Sequence, residues 1–270
     1  MTSATAHTTS ADERVPGPAA PDAAPVDIAG DRVPFARLVS LEVRKMVDTR
    51  SGMWMLITMA GISFLVCGIL LIWGNEPGDT DFATFLGLIS MPLMVLLPIM
   101  GIMSATQEWS QRTGLATFTL VPRRGRIIAA KSIASLVLTL VLLVAGAVAA
   151  AVSTLIGGGE FTTDGVSVGG LTLTALIFTL QGVAFGAAFL NTPIAIVSSL
   201  VLPTIWTILT SMITRVQDIA PWLDLQVVTQ PLIDGDMVGK DWAQLGTASL
   251  AWVAVPLAIG SYRILTREVK

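Results

Sequence analysis

The stretch EWSQRTGLATFTLVPRRGRIIAAK, residues 108–131, decides how the chain is arranged, because it is a charged segment between two long apolar runs. It holds five of the sixteen Lys and Arg residues of the chain. Only 13% of the 270 residues are charged, whereas a typical soluble domain has about 25%. The apolar residues come in blocks of about twenty, the length of a helix that crosses a bilayer. The composition therefore predicts an integral membrane protein with this stretch as a loop between two spans.

Six apolar runs, two of them flanking this loop, are long enough to cross the hydrocarbon as helices. Asn191, Thr192 and Pro193 separate the fourth run from the fifth, and this tripeptide breaks a helix, so the two form a helical hairpin. The sequence thus predicts an all-α membrane protein with six transmembrane helices. The predicted spans are 53–73, 82–106, 127–156, 171–190, 194–213 and 243–262.

The distribution of positive charge sets the orientation, since cytoplasmic loops of membrane proteins are enriched in Lys and Arg. With six spans, fourteen of the sixteen basic residues fall on one side, in the N-terminal segment, the 108–131 stretch and the C-terminus. The other side receives only Arg215 and Lys240, together with ten acidic residues. We therefore expect cytoplasmic N and C termini and a multi-pass protein of the cell (plasma) membrane.

Two different segments precede the first span. Residues 1–33 are rich in Ala, Pro, Thr and Asp, without an apolar run, and are predicted to be a disordered cytoplasmic tail. Residues 34–50 alternate apolar and polar positions at helical spacing, which predicts an amphipathic interfacial helix on the inner leaflet. Glu42 falls among its apolar positions. Either it pairs with Lys45 or reaches water, or it meets a partner or a basic residue of the 108–131 loop.

Several function classes lack their residues. No ionisable residue lies deep in a predicted span, which argues against a proton-coupled carrier. No Gly-x-x-x-x-Gly-Lys-Ser/Thr motif is present, so the chain carries no P-loop for ATP. We expect no catalytic, cofactor or metal site and no nucleic-acid partner. The chain is then not an enzyme, and energy for any uphill transport must come from another protein.

The loop itself has features of a contact surface. Glu108 and Arg112 form an i,i+4 pair, and Thr113-Gly114 loosens the chain after it. Pro122, Arg123 and Arg124 mark a turn before the third span. Trp109 and three later apolar residues point in different directions on a helix, which suits a segment between the membrane and a docked protein. The alternative is a basic anchor that touches only lipid phosphates.

Two further regions have interpretable patterns. Gly182 and Gly186 form a Gly-x-x-x-Gly spacing typical of close helix packing, with dimerisation or a substrate path as the alternative. Residues 214–242 mix Trp222, Leu223 and other apolar residues with five Asp. This segment is too apolar for a solvated loop and too polar to cross the bilayer. It is interpreted as a structural lid on the outer side, with a gate for substrate release as the alternative.

The order of these motifs resembles the ABC-2 type permeases, the membrane subunits of a class of ABC exporters. The resemblance covers residues 35–270 and rests on order and placement, with Gly114 as a departure because it interrupts a helix there. Its motifs are Glu108, Arg112-Thr113, Pro122-Arg123-Arg124 and Ala130-Lys131; Glu42-Val43-Arg44-Lys45 and Thr49-Arg50-Ser51; and Pro221-Trp222-Leu223, Pro231-Leu232 and Gly235.

The resemblance implies a function and a set of roles. Residues 51–270 would form the permease domain of an ATP-driven exporter, paired with a second permease copy. The loop after the second span would be a coupling helix in a cleft of a cytoplasmic ABC ATPase, which binds the ATP. Its expected contacts are Glu108, Trp109, Arg112, Thr113, Pro122, Arg123 and Arg124. Glu42, Arg44 and Lys45 would support it from an elbow helix. The alternatives are a membrane anchor or sensor that recruits a cytoplasmic protein, and a secondary carrier.

Overall fold

The computed structural model describes residues 34–74, 76–110, 124–213 and 219–266. All regular structure in these ranges is helical, and no strand occurs in them. The predicted disordered tail, residues 1–33, and residues 111–123 of the predicted coupling loop lie outside the described residues.

Within these described ranges, six helices are long and apolar enough to cross a membrane, which is the number that the sequence predicts. Each predicted span overlaps one of these helices. Most helices extend a few residues beyond the predicted span, and where a helix ends before the span does, it ends one residue earlier. The first five are α2 (Arg50–Trp73), α3 (Phe82–Ser110), α4 (Arg124–Gly157), α5 (Val168–Phe189) and α6 (Thr192–Met212). The sixth runs over Gly239–Thr266 and is built from two α-helices with a π-helical segment between them.

Helix α1 (Phe35–Asp48) precedes the first of these spans. Pro34 stands before its first turn, where a residue without an N–H loses no helical hydrogen bond. At Thr49 the backbone is extended, and the Thr49 hydroxyl accepts a hydrogen bond from the N–H of Gly52, which caps the start of α2. Leu38, Glu42 and Met46 are the buried residues of α1 and lie four residues apart, on one face.

Helices α3 and α5 form the centre of the bundle, and glycine lets them approach closely. A Cβ at Gly182 would lie 2.0 Å from the carbonyl oxygen of Pro98, and one at Gly186 would lie 2.8 Å from the Cβ of Ala105. Gly101 on α3 faces the carbonyl of Thr179 in the same way. Both members of the Gly-x-x-x-Gly pair therefore face a helix of the same chain, as in close helix packing.

The turn between α5 and α6 is as short as its sequence predicts. Leu190 adopts a left-handed conformation with φ of 53° and ends α5. The Asn191 side chain then accepts a hydrogen bond from the N–H of Ile194 and caps α6. The two helices consequently run back against each other as a hairpin.

The segment before the last span contains two short helices, α7 (Ala220–Leu223) and α8 (Leu225–Asp234). The last span begins as α9 (Gly239–Ser249), widens into π-helix over Leu250–Ala254 and continues as α10 (Val255–Thr266). Pro256 is the second residue after the π-helical turn. Because proline has no N–H and its ring crowds the preceding turn, a widened turn accommodates it without a break in the span.

Candidate functional site: a buried ion-pair cluster beside the loop

Four charged side chains meet at one end of the bundle. They are Glu42 and Lys45 of α1, Glu108 near the end of α3, and Lys131 in the second turn of α4. Two carboxylates face two ammonium groups, so the cluster is neutral in total. We call these four residues the ion-pair cluster.

Lys131 lies at its centre and is only 5% exposed. Its ammonium donates hydrogen bonds to Glu42 Oε2 at 2.8 Å and to the carbonyl oxygen of Ser104 at 3.0 Å. A third contact, to Glu108 Oε1, is 3.2 Å long. An ammonium has three hydrogen-bond donors and its charge is expensive to bury, so a buried lysine needs acceptors for these donors. Lys131 therefore joins α1, α3 and α4 through polar contacts inside the protein.

Glu42 is buried because helical spacing places it between Leu38 and Met46 on the inward face of α1. Its Oε1 accepts a hydrogen bond from Lys45 at 2.6 Å, while Oε2 faces Lys131. Burial alone would raise the pKa of Glu42, but the charges and hydrogen bonds of Lys131 and Lys45 outweigh it and lower the pKa below the ordinary value of 4.5. Glu42 thus pairs with Lys45 of its own helix, which is one of the alternatives given by the sequence. It also pairs with Lys131, a basic residue of the 108–131 stretch, which is the other.

Lys45 connects the cluster to the surface, since 42% of its side chain is exposed. Burial of the remainder would lower the pKa of Lys45, but Glu42 and, at 3.6 Å, Glu108 raise it above the ordinary value of 10.5. Arg44 is not part of the cluster. It pairs with Asp48 on the exposed face of α1, where an ion pair contributes little.

Glu108 is predicted to pair with Arg112 and to contact a partner protein. Arg112 lies outside the described residues, so the pair with it stays a prediction. The Glu108 carboxylate is 5% exposed and faces Lys131 and Lys45. Its Oε1 is within ion-pair distance of both ammonium groups, but no hydrogen-bond geometry is satisfied there. The contact is therefore electrostatic, and Glu108 supports the end of α3 from inside the chain.

The other loop residues divide into two groups. Trp109 packs against the cluster of Ala187, Leu190 and Ile264, which ties the end of α3 to α5 and α10. Arg112, Thr113, Pro122, Arg123 and the side chain of Arg124 lie outside the described residues. The loop to which they belong leaves α3 two residues after Glu108 and enters α4 seven residues before Lys131.

At the opposite end of the bundle, the α7–α8 segment is held by polar contacts to the last span. The carbonyl of Trp222 accepts from the Thr247 hydroxyl at 3.0 Å, and the carbonyl of Leu223 accepts from the Trp252 indole at 2.6 Å. Trp222 and Leu223 thus contribute backbone acceptors to this segment.

Asp224, which is not among the site residues predicted from the sequence, is the most buried acidic residue of this segment, at 3% exposure. Its Oδ1 accepts from the N–H groups of Gln226 and Val227, which caps α8, and its Oδ2 accepts from the Thr207 hydroxyl at 2.8 Å. An Asp followed by an apolar helical segment is a recognisable cap signal, but the contact with Thr207 depends on tertiary structure.

A cavity of about 290 Å³ lies between α3, α5, α6 and α8. Its wall is mostly apolar, and Gln181, Ser199, Gln226, Thr229 and Gln230 supply the polar groups. Helix α8 closes one side of it. Helix α8 is therefore part of both the α7–α8 segment and the cavity wall.

No family model matches this chain, and no match among curated proteins was found.

Proposed function

We propose that this chain is the permease subunit of an ABC-2 type ATP-driven exporter, with cytoplasmic termini and a separate cytoplasmic ATPase that docks on the loop between α3 and α4. Two copies of the permease, identical or different, would face each other across the membrane. The ion-pair cluster is the observation that carries the proposal, since it ties both ends of that loop to α1.

The loop needs a mechanical connection to the spans if it receives force from a docked protein. Glu108 precedes the loop and Lys131 follows it, and their side chains are 3.2 Å apart. Glu42 joins them to α1. Removing one partner from a buried ion pair is costly, so the three helix segments are expected to move together. A displacement of the loop would then reach α1, α3 and α4 at once.

Positive charge supports the proposed orientation. The basic residues of α1, the start of α4 and Arg263, which donates to the carbonyl of Ala188, gather at the end of the bundle that carries the ion-pair cluster. The other end carries Lys240 and acidic residues such as Asp81, Glu160 and Asp234. This asymmetry is typical of a cytoplasmic end and an outer end. Helix α1 would then lie on the inner leaflet as an elbow helix.

The outer end has the elements of a release gate. The mostly apolar cavity of about 290 Å³ is walled by α8, and α8 is held by Asp224 and by the two backbone acceptors before it. A few hydrogen bonds are a modest barrier that re-packing of α6 and the last span can open. Export of an apolar or amphipathic molecule suits such a wall.

Co-purification tests the proposal directly. The tagged chain is isolated in mild detergent from its native cell, and mass spectrometry identifies the proteins that come with it in the presence and absence of ATP. We expect a stoichiometric partner with a P-loop. Arg123→Glu with Arg124→Glu should abolish its recovery, whereas Lys240→Glu, a single charge reversal at the other end, should not.

Two other outcomes would overturn the proposal. A soluble partner without a P-loop, recovered independently of nucleotide, would indicate a membrane anchor or sensor. Recovery of the chain alone, together with ion-gradient-driven flux in vesicles that contain no other protein, would indicate a secondary carrier.

A further inference from the structure

Gln181 of α5 lines the cavity of about 290 Å³ between α3, α5, α6 and α8, and it is only 4% exposed. Within the described part of the chain no hydrogen bond reaches its amide, and neither amide atom is among the unpartnered polar atoms that are completely enclosed there. The amide therefore keeps accessible surface. Since Gln181 belongs to the wall, that surface faces the cavity. Buried polar groups nearly always have a partner, so this side chain indicates a polar ligand in the cavity.

Two prolines add unpaired backbone acceptors to the same wall. Pro98 of α3 and Pro203 of α6 lie inside their helices and line the cavity. Because proline has no N–H, the carbonyls of Met94 and Ser199, each four residues earlier, lack their usual helical partner. Met94 and Ser199 line the cavity as well, so each freed carbonyl lies between two residues of the wall. A ligand that donates hydrogen bonds would find acceptors here on two helices besides α5.

The hydroxyl groups of the wall can only accept from a ligand, because their hydrogens are used within their own helices. The Ser199 hydroxyl donates to the carbonyl of Ile196 at 3.0 Å, and the Thr229 hydroxyl donates to the carbonyl of Leu225 at 2.9 Å. No charged side chain is among the described residues of the wall. An anionic ligand would find no cation there and a cationic ligand no carboxylate, so burial of either charge would be costly.

We propose that this cavity binds an uncharged amphipathic amide, and that Gln181 binds its amide group. An amide with an N–H both donates and accepts, so it can pair with the Gln181 side chain and donate to a freed carbonyl. The apolar part of the wall, which includes Phe178 and Leu225, suits an alkyl chain. The volume of about 290 Å³ is close to the lower end for ligand sites, which span roughly 300–1,000 Å³. That such an amide is exported rests on the proposed function, whereas its binding does not.

The position of the cavity favours a ligand that reaches it from the membrane. Met91 and Val95 of α3 line the cavity and are 67% and 51% exposed, so its wall continues into the outer apolar surface of a span. An amide without an apolar segment stays in water, whereas one with an alkyl chain partitions into the bilayer beside this surface. The ligand is therefore expected to combine an amide group with an alkyl chain.

Photocrosslinking of the full chain in phosphatidylcholine nanodiscs tests the proposal, with no ATP and no other protein present. The probe is dodecanamide with a photoreactive diazirine in its alkyl chain, and mass spectrometry locates the labelled residues. We expect labelling of the cavity wall that unmodified dodecanamide prevents. N,N-Dimethyldodecanamide, which cannot donate, should compete about tenfold less well, the effect of one hydrogen bond. Dodecanoate, which is anionic, should not compete.

Gln181→Leu removes the amide at nearly constant side-chain volume. The preference for dodecanamide over its dimethyl analogue should then be lost. The unfolding temperature of the ligand-free chain should stay equal or rise, since an unpartnered buried amide is removed, whereas loss of a structural glutamine would lower it. Val95→Trp, at the mouth of the cavity, should reduce labelling. Gln107→Leu is the matched control, because Gln107 lies on α3 outside this wall, and it should change neither labelling nor preference.

Three results overturn the proposal. They are equal competition by the two amides, a preference that persists in Gln181→Leu, and labelling confined to lipid-facing positions outside the wall. If dodecanamide binds as expected and no protein with a P-loop co-purifies with the chain, the binding site is supported and only its role in export is lost.

Discussion

Lys131 and Glu42 are 89 positions apart in the chain, and their side chains form a 2.8 Å hydrogen-bonded ion pair inside the protein. Their relationship fixes α1 against the start of α4. A substitution that removes the charge of either residue would leave the charge of the other buried without this partner.

Loss of Lys131 should therefore destabilise the protein strongly. Among the described residues, Lys131→Met leaves Glu42 and Glu108 with only the half-exposed Lys45, and an uncompensated buried charge costs about 3–5 kcal/mol. Lys45→Met should cost about 1 kcal/mol or less, since its side chain is 42% exposed and a screened pair contributes little. Thermal unfolding of the purified variants, followed by size-exclusion chromatography, measures the difference.

A double variant separates charge balance from packing. Glu42→Gln combined with Lys131→Met removes one charge of each sign and leaves Glu108 with Lys45, so it should recover most of the lost stability. If the double variant is as unstable as Lys131→Met alone, lost packing around the lysine stem, and not the unpaired carboxylate, is responsible.

The sequence predicts part of this cluster and could not predict the rest. Glu42 is conspicuous because a carboxylate at an apolar position of an amphipathic helix needs a partner. Lys45 at i+3 follows from helix geometry. The contact with Lys131 depends on how α1 packs against α4, which no local pattern encodes. The same holds for Glu108: helical spacing indicates Arg112, which lies outside the described residues, and gives no sign of the contacts with Lys131 and Lys45.

For the spans, too, the sequence predicts some features and not others. Their number and approximate ends follow from run length and hydropathy, which are local properties. The π-helical turn before Pro256 does not follow from the sequence: proline indicates a kink, but whether the helix bends or widens depends on its neighbours.

Acid should weaken the cluster through Glu42. The pKa of Glu42 is lowered in the folded protein, so its contribution is complete above the ordinary carboxyl pKa of 4.5 and is lost as the pH falls below that value through the folded pKa. Thermal unfolding should therefore occur at lower temperature as the pH decreases below 4.5. In Glu42→Gln this part of the pH dependence should be absent. An identical acid profile in both proteins would assign the effect to other carboxylates.

Close packing of α3 and α5 should make Gly182 intolerant of a methyl group. In Gly182→Ala the new Cβ would lie 2.0 Å from the carbonyl oxygen of Pro98, so the helices must separate at a cost of about 1–3 kcal/mol. Gly61→Ala is the matched control. Nothing lies within 4 Å of a Cβ there, and alanine should stabilise α2 by about 0.5–1 kcal/mol. Unfolding temperatures that shift in the same direction in both variants would contradict this packing.

Asp224 should control the order of α8. Asp224→Ala removes the N-cap, at about 1 kcal/mol, together with the contact to Thr207. Hydrogen exchange over residues 225–234 should accelerate, while Asp224→Asn, which retains a cap acceptor, should change it less. Asp234→Ala is the control, since Asp234 is exposed and bonds only to Gln230 in the described part of the chain. Unchanged exchange in Asp224→Ala would mean that α8 is held by its apolar contacts.

Single cysteines test the orientation of the two ends. Cys67 is the only cysteine and is buried, so Cys67→Ala gives a background without thiols. Arg44 and Lys240 are both exposed, and the proposed orientation places them on opposite sides of the membrane. A membrane-impermeant maleimide should label Lys240→Cys in intact cells and Arg44→Cys only after permeabilisation. The reverse pattern would invert the proposed orientation. Labelling of both in intact cells would require an even number of spans between the two positions, where the fold has five, and would contradict the six-span arrangement itself.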